Sequence, residues 1–346
     1  MKPHRIVRTT MRVKKFIGIV AGLALLVGFV ANQSLQAGQA RSATSGSGAV
    51  EKGSVSSGFA TDLKPVPGYP PRCSTDVNVQ PDVFPIQVGT VTSDDGKKWT
   101  APAPVVTDGV MAVDVYNNCM GPGDNPDYVS QLKTVVVDND GVEITGFIHA
   151  DNYFELYVNG KFIARDSIAM MPFNSSVVRF KAKYPMTYAI MGVDWETHQG
   201  VGMEYNAFNV GDAGMIAYFS DGNGTHTDWR ADTFYIAPLD DPACVRVTAA
   251  GRDSSFCSQS VRPACGAKPE TCKALHFPIP TDWNSPRFND SRWPLAIFWR
   301  PVEVTNQQAY TRYAQLFGDA EFIWTRNLHL DNLVLARYTA KGPKRK

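Results

Sequence analysis

The sequence predicts an all-β protein of the sandwich or barrel kind. Aromatic residues make up 11% of the 346, with 7 Trp and 13 Tyr, and they are interspersed with 28 Gly and 23 Pro. Large β-forming side chains punctuated by turn formers are the composition of short strands joined by tight connections. Runs with the 3.6-residue apolar period of a helix are scarce beyond the N-terminal region. The third observation is local. Residues 154–158 and 161–164 are β-type runs joined at Asn159-Gly160. A type I′ hairpin turn needs positive φ at both central positions, which Asn and Gly adopt most readily.

The chain opens with a basic region, including Arg5, Arg8, Arg12, Lys14 and Lys15, ahead of an apolar run over residues 16–31. Polar Asn32, Gln33 and Ser34 follow, then small residues around Ala37 and Ala40. This is the layout of a secretory signal peptide over 1–40, with cleavage expected after Ala37 or Ala40. The alternative is an uncleaved anchor, and the membrane would then be met only through this segment. The expected location is exported: periplasmic, extracellular or cell surface.

Six cysteines fit that compartment. Cys73, Cys119, Cys244, Cys257, Cys265 and Cys272 are an even set, read as disulfides. Proximity in the chain pairs Cys73 with Cys119 and leaves two bridges within 244–272. The gaps among the last four lack the C-x2-C spacing of zinc ribbons. A formal net charge of +1 supplies no basic stripe for a nucleic-acid partner.

Residues 41–71 are rich in Ser, Gly, Ala and Pro, and read as a flexible linker. The β-sandwich domain is expected over 72–242. Strands are expected at 110–116, 142–150, 177–182, 186–193 and 215–219, with another inside 227–238. Of these, 186–193 is the most apolar. A Cys-rich connection occupies 243–273. The block 274–340 is a C-terminal β segment that completes the sandwich or forms a second one. Within it 302–304 reads as a strand and 306–317 as a modest helix. Residues 341–346 form a basic tail.

In that last block Asp282-Trp283, followed by Arg287-Phe-Asn-Asp-Ser-Arg-Trp293, resembles the DW…FDDSxW signature of the galactose-binding-domain-like jelly rolls. Glu155-Leu-Tyr-Val-Asn-Gly160 resembles their V-N-G hairpin. The first Asp of the signature is Asn289 here, and the two motifs stand in the reverse of the usual order. The resemblance implies a jelly-roll β-sandwich, permuted or doubled into two packed sandwiches, as in carbohydrate-binding modules. The implied role is a lectin-like, non-catalytic protein whose partner is carbohydrate or cell-surface polysaccharide.

Sugar rings stack on exposed aromatic faces while neighbouring polar groups bond their hydroxyls. On that chemistry the candidate ligand-binding residues are Asp151, Asn152 and Arg165 around the hairpin, with Trp195 and Trp229. The stretch Asp194-Trp195-Glu196, with His198 and Glu204 beyond, is the richest polar cluster. Two enzymatic or inert alternatives stand beside it. One is a polysaccharide hydrolase using Asp194 and Glu196 as acid and base; the other is a surface or matrix protein making protein contacts. Asp221, Asn223 and Asp228 offer oxygen ligands for calcium, although the full twelve-residue calcium-loop pattern is absent. No G-x-S-x-G elbow, H-E-x-x-H helix, P-loop or Rossmann fingerprint occurs.

Overall fold

Two large β-sheets share one apolar core in the computed structural model, which describes residues 52–69, 86–119, 123–168, 174–204, 208–305 and 307–344. The expected signal peptide and Cys73 lie outside the described residues. In chain order the strands begin with β1 (Ser54–Ser57), β2 (Thr61–Pro65), β3 (Gln87–Thr92), β4 (Lys98–Ala101), β5 (Val113–Asn117) and β6 (Gly123–Asp124). Next come β7 (Thr134–Val136), β8 (Val142–Asp151), β9 (Tyr153–Val158), β10 (Lys161–Arg165), β11 (Asn174–Ala182) and β12 (Met186–Val193). The series ends with β13 (Gly214–Phe219), β14 (Arg230–Leu239), β15 (Arg246–Thr248), β16 (Gly251–Asp253), β17 (Lys273–His276), β18 (Ile297–Trp299), β19 (Phe322–Trp324) and β20 (Asp331–Ala340).

The first sheet has seven strands in the order β1-β17-β14-β20-β12-β9-β10. The second runs β18-β19-β13-β8-β11-β5-β6, with β7 pairing in parallel to β11. Phe154, Leu156, Tyr188, Ile190 and Val334 of the first sheet meet Ile148, Ala150, Phe180, Met215 and Phe219 of the second in one cluster. Side chains alternate across a strand, so the residues between them point the other way. Tyr153, Met191, Val193, Leu333 and Leu335 accordingly form a second cluster on the far face, with Phe234, Trp283 and Trp293. The first sheet is thus buried on both faces. That is why β12 reads as an unbroken apolar run, all of its residues buried.

At the edge of that sheet the expected hairpin forms. Asn159 and Gly160 take φ of 50° and 81°, the type I′ signature, between β9 and β10. The C-terminal strand β20 lies between β14 and β12, so the last block is built into this same sheet. Residues 277–293 cover its outer face. Trp283 and Trp293 are buried there, and between them the guanidinium of Arg337 (only 1% exposed) reaches from β20. It donates to the carbonyls of Trp283 and Ser285 and to Asp290 Oδ2 at 2.8 Å, and lies over the Phe288 ring. The motif that prompted the family resemblance is therefore a packing clamp.

Three sequence expectations are corrected. Part of the 41–71 linker is ordered: β1 pairs with β17 along Ser54↔His276 to Ser57↔Lys273, and β2 pairs with β3. Ser-rich composition hid an edge strand whose Ser56 hydroxyl sits 2.7 Å from His276 Nε2. Residues 302–304 are helical, within the turn Pro301–Val304. Pro301 pre-sets the first helical φ and Glu303 accepts from Arg300 N at 2.8 Å, a local cap that outweighs the β propensity of the two valines. The expected helix over 306–317 is two short pieces, Gln308–Thr311 and a tighter turn at Ala314–Phe317.

Cys244 bridges Cys257 and Cys265 bridges Cys272. Cys119 is also disulfide-bonded. Two disulfides fit a non-reducing compartment. Among the described residues, no helix is long and apolar enough to cross a membrane.

Candidate functional site

At the end of the sandwich where β8 and β12 finish and β13 and β20 begin, a cleft of about 500 Å³ opens. Asp151 and Asn152 form its floor. The backbone of Asp151 pairs with Gly214 at the start of β13. Asn152 is pinned three ways. Its N–H donates to Val193 O at 3.1 Å, its Nδ2 donates to Asp151 Oδ1 at 2.9 Å, and its Oδ1 accepts from Trp195 N. Both residues are almost fully buried, so these bonds fix the floor rigidly.

One wall comes from the β12–β13 connection. Glu204 and Asn209 exchange backbone hydrogen bonds of 2.8 and 3.3 Å. A Cβ on Gly211 would come within 2.7 Å of the Glu204 carboxyl, so glycine is what allows the chain to pass so close. Gly211 O accepts from His329 Nδ1 at 2.8 Å, since a carbonyl can only accept. The Cys-rich segment adds Val261 and Arg262: Val210 N donates to Val261 O at 3.0 Å, and Arg262 Nε to Asn209 Oδ1 at 3.3 Å. Val304, Thr305 and Gln307 close the opposite side.

The electrostatics are lopsided. Burial, then Asp212, then Glu204 push the Asp151 carboxyl well above the usual carboxylate range. Glu204 is held up to about 8 by burial, by Asp212 and by Glu196. Asp212 is also raised by burial, against the opposing charge of His329, though it sits open to solvent at the cleft mouth, which damps the push. Behind the floor Asp194 is raised by burial and then by Glu204, Asp151 and Asp212, and its Oδ1 has no hydrogen-bond partner. Carboxyls kept protonated in this way donate as well as accept.

Of the residues singled out from sequence, Asp151, Asn152 and Glu204 line this cleft and the others do not. Trp195 is fully buried, edge-on to Tyr153 at 5.6 Å, and Trp229 is fully buried, its Nε1 donating to Gly224 O at 2.8 Å and its ring stacked on Tyr338. Neither offers a face on which a sugar could stack. Arg165 is buried as a tether, donating to Val106 O at 2.9 Å and Pro67 O at 3.0 Å and lying over Tyr69. His198 stacks on Phe208 with ring centroids 4.4 Å apart. Glu196 is buried and accepts from Gly200 N and Gly202 N, both at 2.8 Å, which opposes the burial that raises it to about 7. An acid/base pair of Asp194 and Glu196 thus lacks the open groove it would need.

The calcium reading fails on hydrogen-bond direction. Asp221 Oδ2 accepts from Tyr184 and Tyr188 hydroxyls at 2.6 and 3.0 Å and from Asn223 Nδ2 at 2.7 Å. Asn223 presents its amide N–H₂ to that carboxylate, and Asp228 is exposed. The loop is a self-satisfied turn. Among the described residues, no group of three His, Cys, Asp or Glu is placed to hold a metal ion.

Sequence reasoning missed Asn209, Asp212, Arg262, Thr305 and Gln307. They come from loops with no shared motif, and only the topology brings them together. No protein-family model, curated protein or solved structure matches the chain.

Proposed function

We propose that this is an exported, non-catalytic carbohydrate-binding protein of galactose-binding-like jelly-roll type, with its ligand seated in the end cleft. The observation that supports the reading is the lining itself. Asp151, Asn152, Glu204, Asn209, Asp212, Thr305 and Gln307 mix amide, hydroxyl and carboxyl groups around a depression of sugar size, with Val210 and Val304 as apolar patches. Vicinal hydroxyls, each donor and acceptor at once, are complementary to such a surface. Recognition is by hydrogen bonding, without an aromatic platform.

The test is a glycan array followed by calorimetry on the protein from Arg41 onward. Binding to at least one glycan is expected, unchanged by a calcium chelator. Gln307→Ala, on the exposed rim, should weaken it about fivefold to tenfold, the worth of one hydrogen bond to a ligand. A blank array would sink the proposal, and so would binding untouched by both Gln307→Ala and Asn209→Ala.

A further inference from the structure

The second sheet has a gap along one edge of β11. There β5 pairs as far as Val177↔Val113, and β7 takes over in parallel at Arg179↔Thr134. Between the strand that leaves and the one that arrives, beside β10 at the edge of the first sheet, a depression of about 290 Å³ opens. It shares no lining residue with the end cleft.

Its floor is apolar. Ala112, Ile163, Ala164, Val177 and Val178 line it and are buried, and all but Val177 belong to the core cluster between the two sheets. A chain of methylenes entering here would continue that core rather than lie on a surface. Removing such a chain from water is favourable in proportion to the apolar area covered.

The rim is cationic. Lys133 and Arg179 line it, and no Asp or Glu does. Lys133 is exposed and makes no ion pair among the described residues. Arg179 supplies an independent observation, because its Nε is buried and has no hydrogen-bond acceptor. Glu143 Oε1 lies 3.9 Å from it, beyond hydrogen-bond reach, on a carboxylate that is open to solvent and accepts from Thr134 Oγ1 at 3.2 Å. A buried donor left unmatched carries a desolvation cost, which an incoming oxyanion would relieve with a charge-assisted bond.

An apolar floor under a cationic rim is complementary to one long aliphatic chain ending in an anion. We propose that this depression binds a free medium-chain fatty acid, its tail on the floor and its carboxylate between Lys133 and Arg179. A methylene displaces about as much volume as a water molecule in the liquid, ~30 Å³, so the space suits a chain of roughly ten carbons. A diacyl lipid brings twice the chain volume and does not fit. An aliphatic alcohol matches the floor but offers Arg179 only a neutral acceptor.

The experiment is calorimetry on the intact protein, stripped of co-purified lipid on a lipophilic resin. The titrants are octanoate, decanoate and decanol, each below its aggregation concentration. Decanoate is expected to bind at one equivalent, about tenfold more tightly than octanoate for its additional buried methylenes, and about tenfold more tightly than decanol for its charge. Lys133→Glu, at the exposed rim, should weaken decanoate about tenfold and leave decanol within twofold. Ala112→Phe fills the floor and should abolish binding of both, with its fold checked by far-UV circular dichroism. If that variant does not fold, Val110→Trp, at an exposed position of the lining, repeats the blockade.

Absence of decanoate binding overturns the inference, as does equal affinity for decanoate and decanol, or binding that none of these substitutions weakens. Uptake of decanoate in many equivalents also overturns it, by marking adsorption. Capture of anionic vesicles without binding of free decanoate does the same, by marking a membrane surface. None of these outcomes bears on the end cleft, whose glycan test stands by itself.

Discussion

Replacing Arg337 by Met tests whether the clamp on the outer face holds the C-terminal motif in place. Met keeps the aliphatic bulk beneath Phe288 and Trp283 while removing every donor. The Trp283 carbonyl and Asp290 Oδ2, bonded at 2.8 Å, lose this partner, while the Ser285 carbonyl keeps a bond from Phe288 N at 3.0 Å. The orphaned Trp283 carbonyl costs about 1 kcal/mol. Asp290 is 28% exposed and regains water, so its loss is nearer that of a partly screened pair, about 1–2 kcal/mol. The variant should therefore lose about 2–3 kcal/mol of unfolding free energy, measured by urea denaturation with the disulfides intact. Lys should rescue less than half of it, because an ammonium cannot reach three acceptors set in the plane of a guanidinium. Asp290→Asn alone should cost about 1 kcal/mol, and the double mutant less than the two singles combined. A loss below about 1 kcal/mol for Arg337→Met would refute the clamp.

Two further outcomes follow from the same coordinates. Glu196 and Asp331 are raised to about 7 and Glu204 to about 8, each chiefly by burial. The folded protein thus holds protons that the unfolded chain releases near pH 4, so stability is fully present below that range and falls as pH rises towards 8. Thermal melts should show Tm dropping between about pH 5 and pH 8, with Glu196→Gln flattening the slope and removing of order 3 kcal/mol at most; a Tm rising over that interval would contradict the burial of these groups. At the hairpin, Gly160→Ala has room for its Cβ but must hold φ at 81°, so it should cost about 1 kcal/mol by urea titration, and a neutral effect would show the turn to be of another type.

How much the sequence revealed depended on whether the signal was local. Asn159-Gly160 carries its own turn geometry, and β12 announces a strand buried on both faces, so both were legible. The edge strand β1 was not, since Ser-Val-Ser-Ser forms a strand only because β17 offers it a ladder. Trp195 and Trp229 illustrate the limit differently: an aromatic on a strand looks alike from sequence whether its face meets solvent or a second layer. Asp151 and Asn152 reached the candidate list through their place beside the hairpin. Asp212, Arg262 and Gln307 gain meaning only when three separate connections converge on one end of the sandwich.

The position of β20 has a consequence for the order in which the molecule can assemble. Its ten residues, made well after both partners, supply the ladder on both sides that joins β12 to β14. Until they arrive, the first sheet exists as two pieces with open inner edges, and the half containing β1, β17 and β14 has no hydrogen-bonded route to the half containing β12, β9 and β10. Closure therefore waits on contacts between residues far apart in sequence, the slow class of folding event. A nascent chain stays open along that seam until residues 331–340 have been made. Such a chain remains threadable through a narrow channel for longer than one whose central strand comes early.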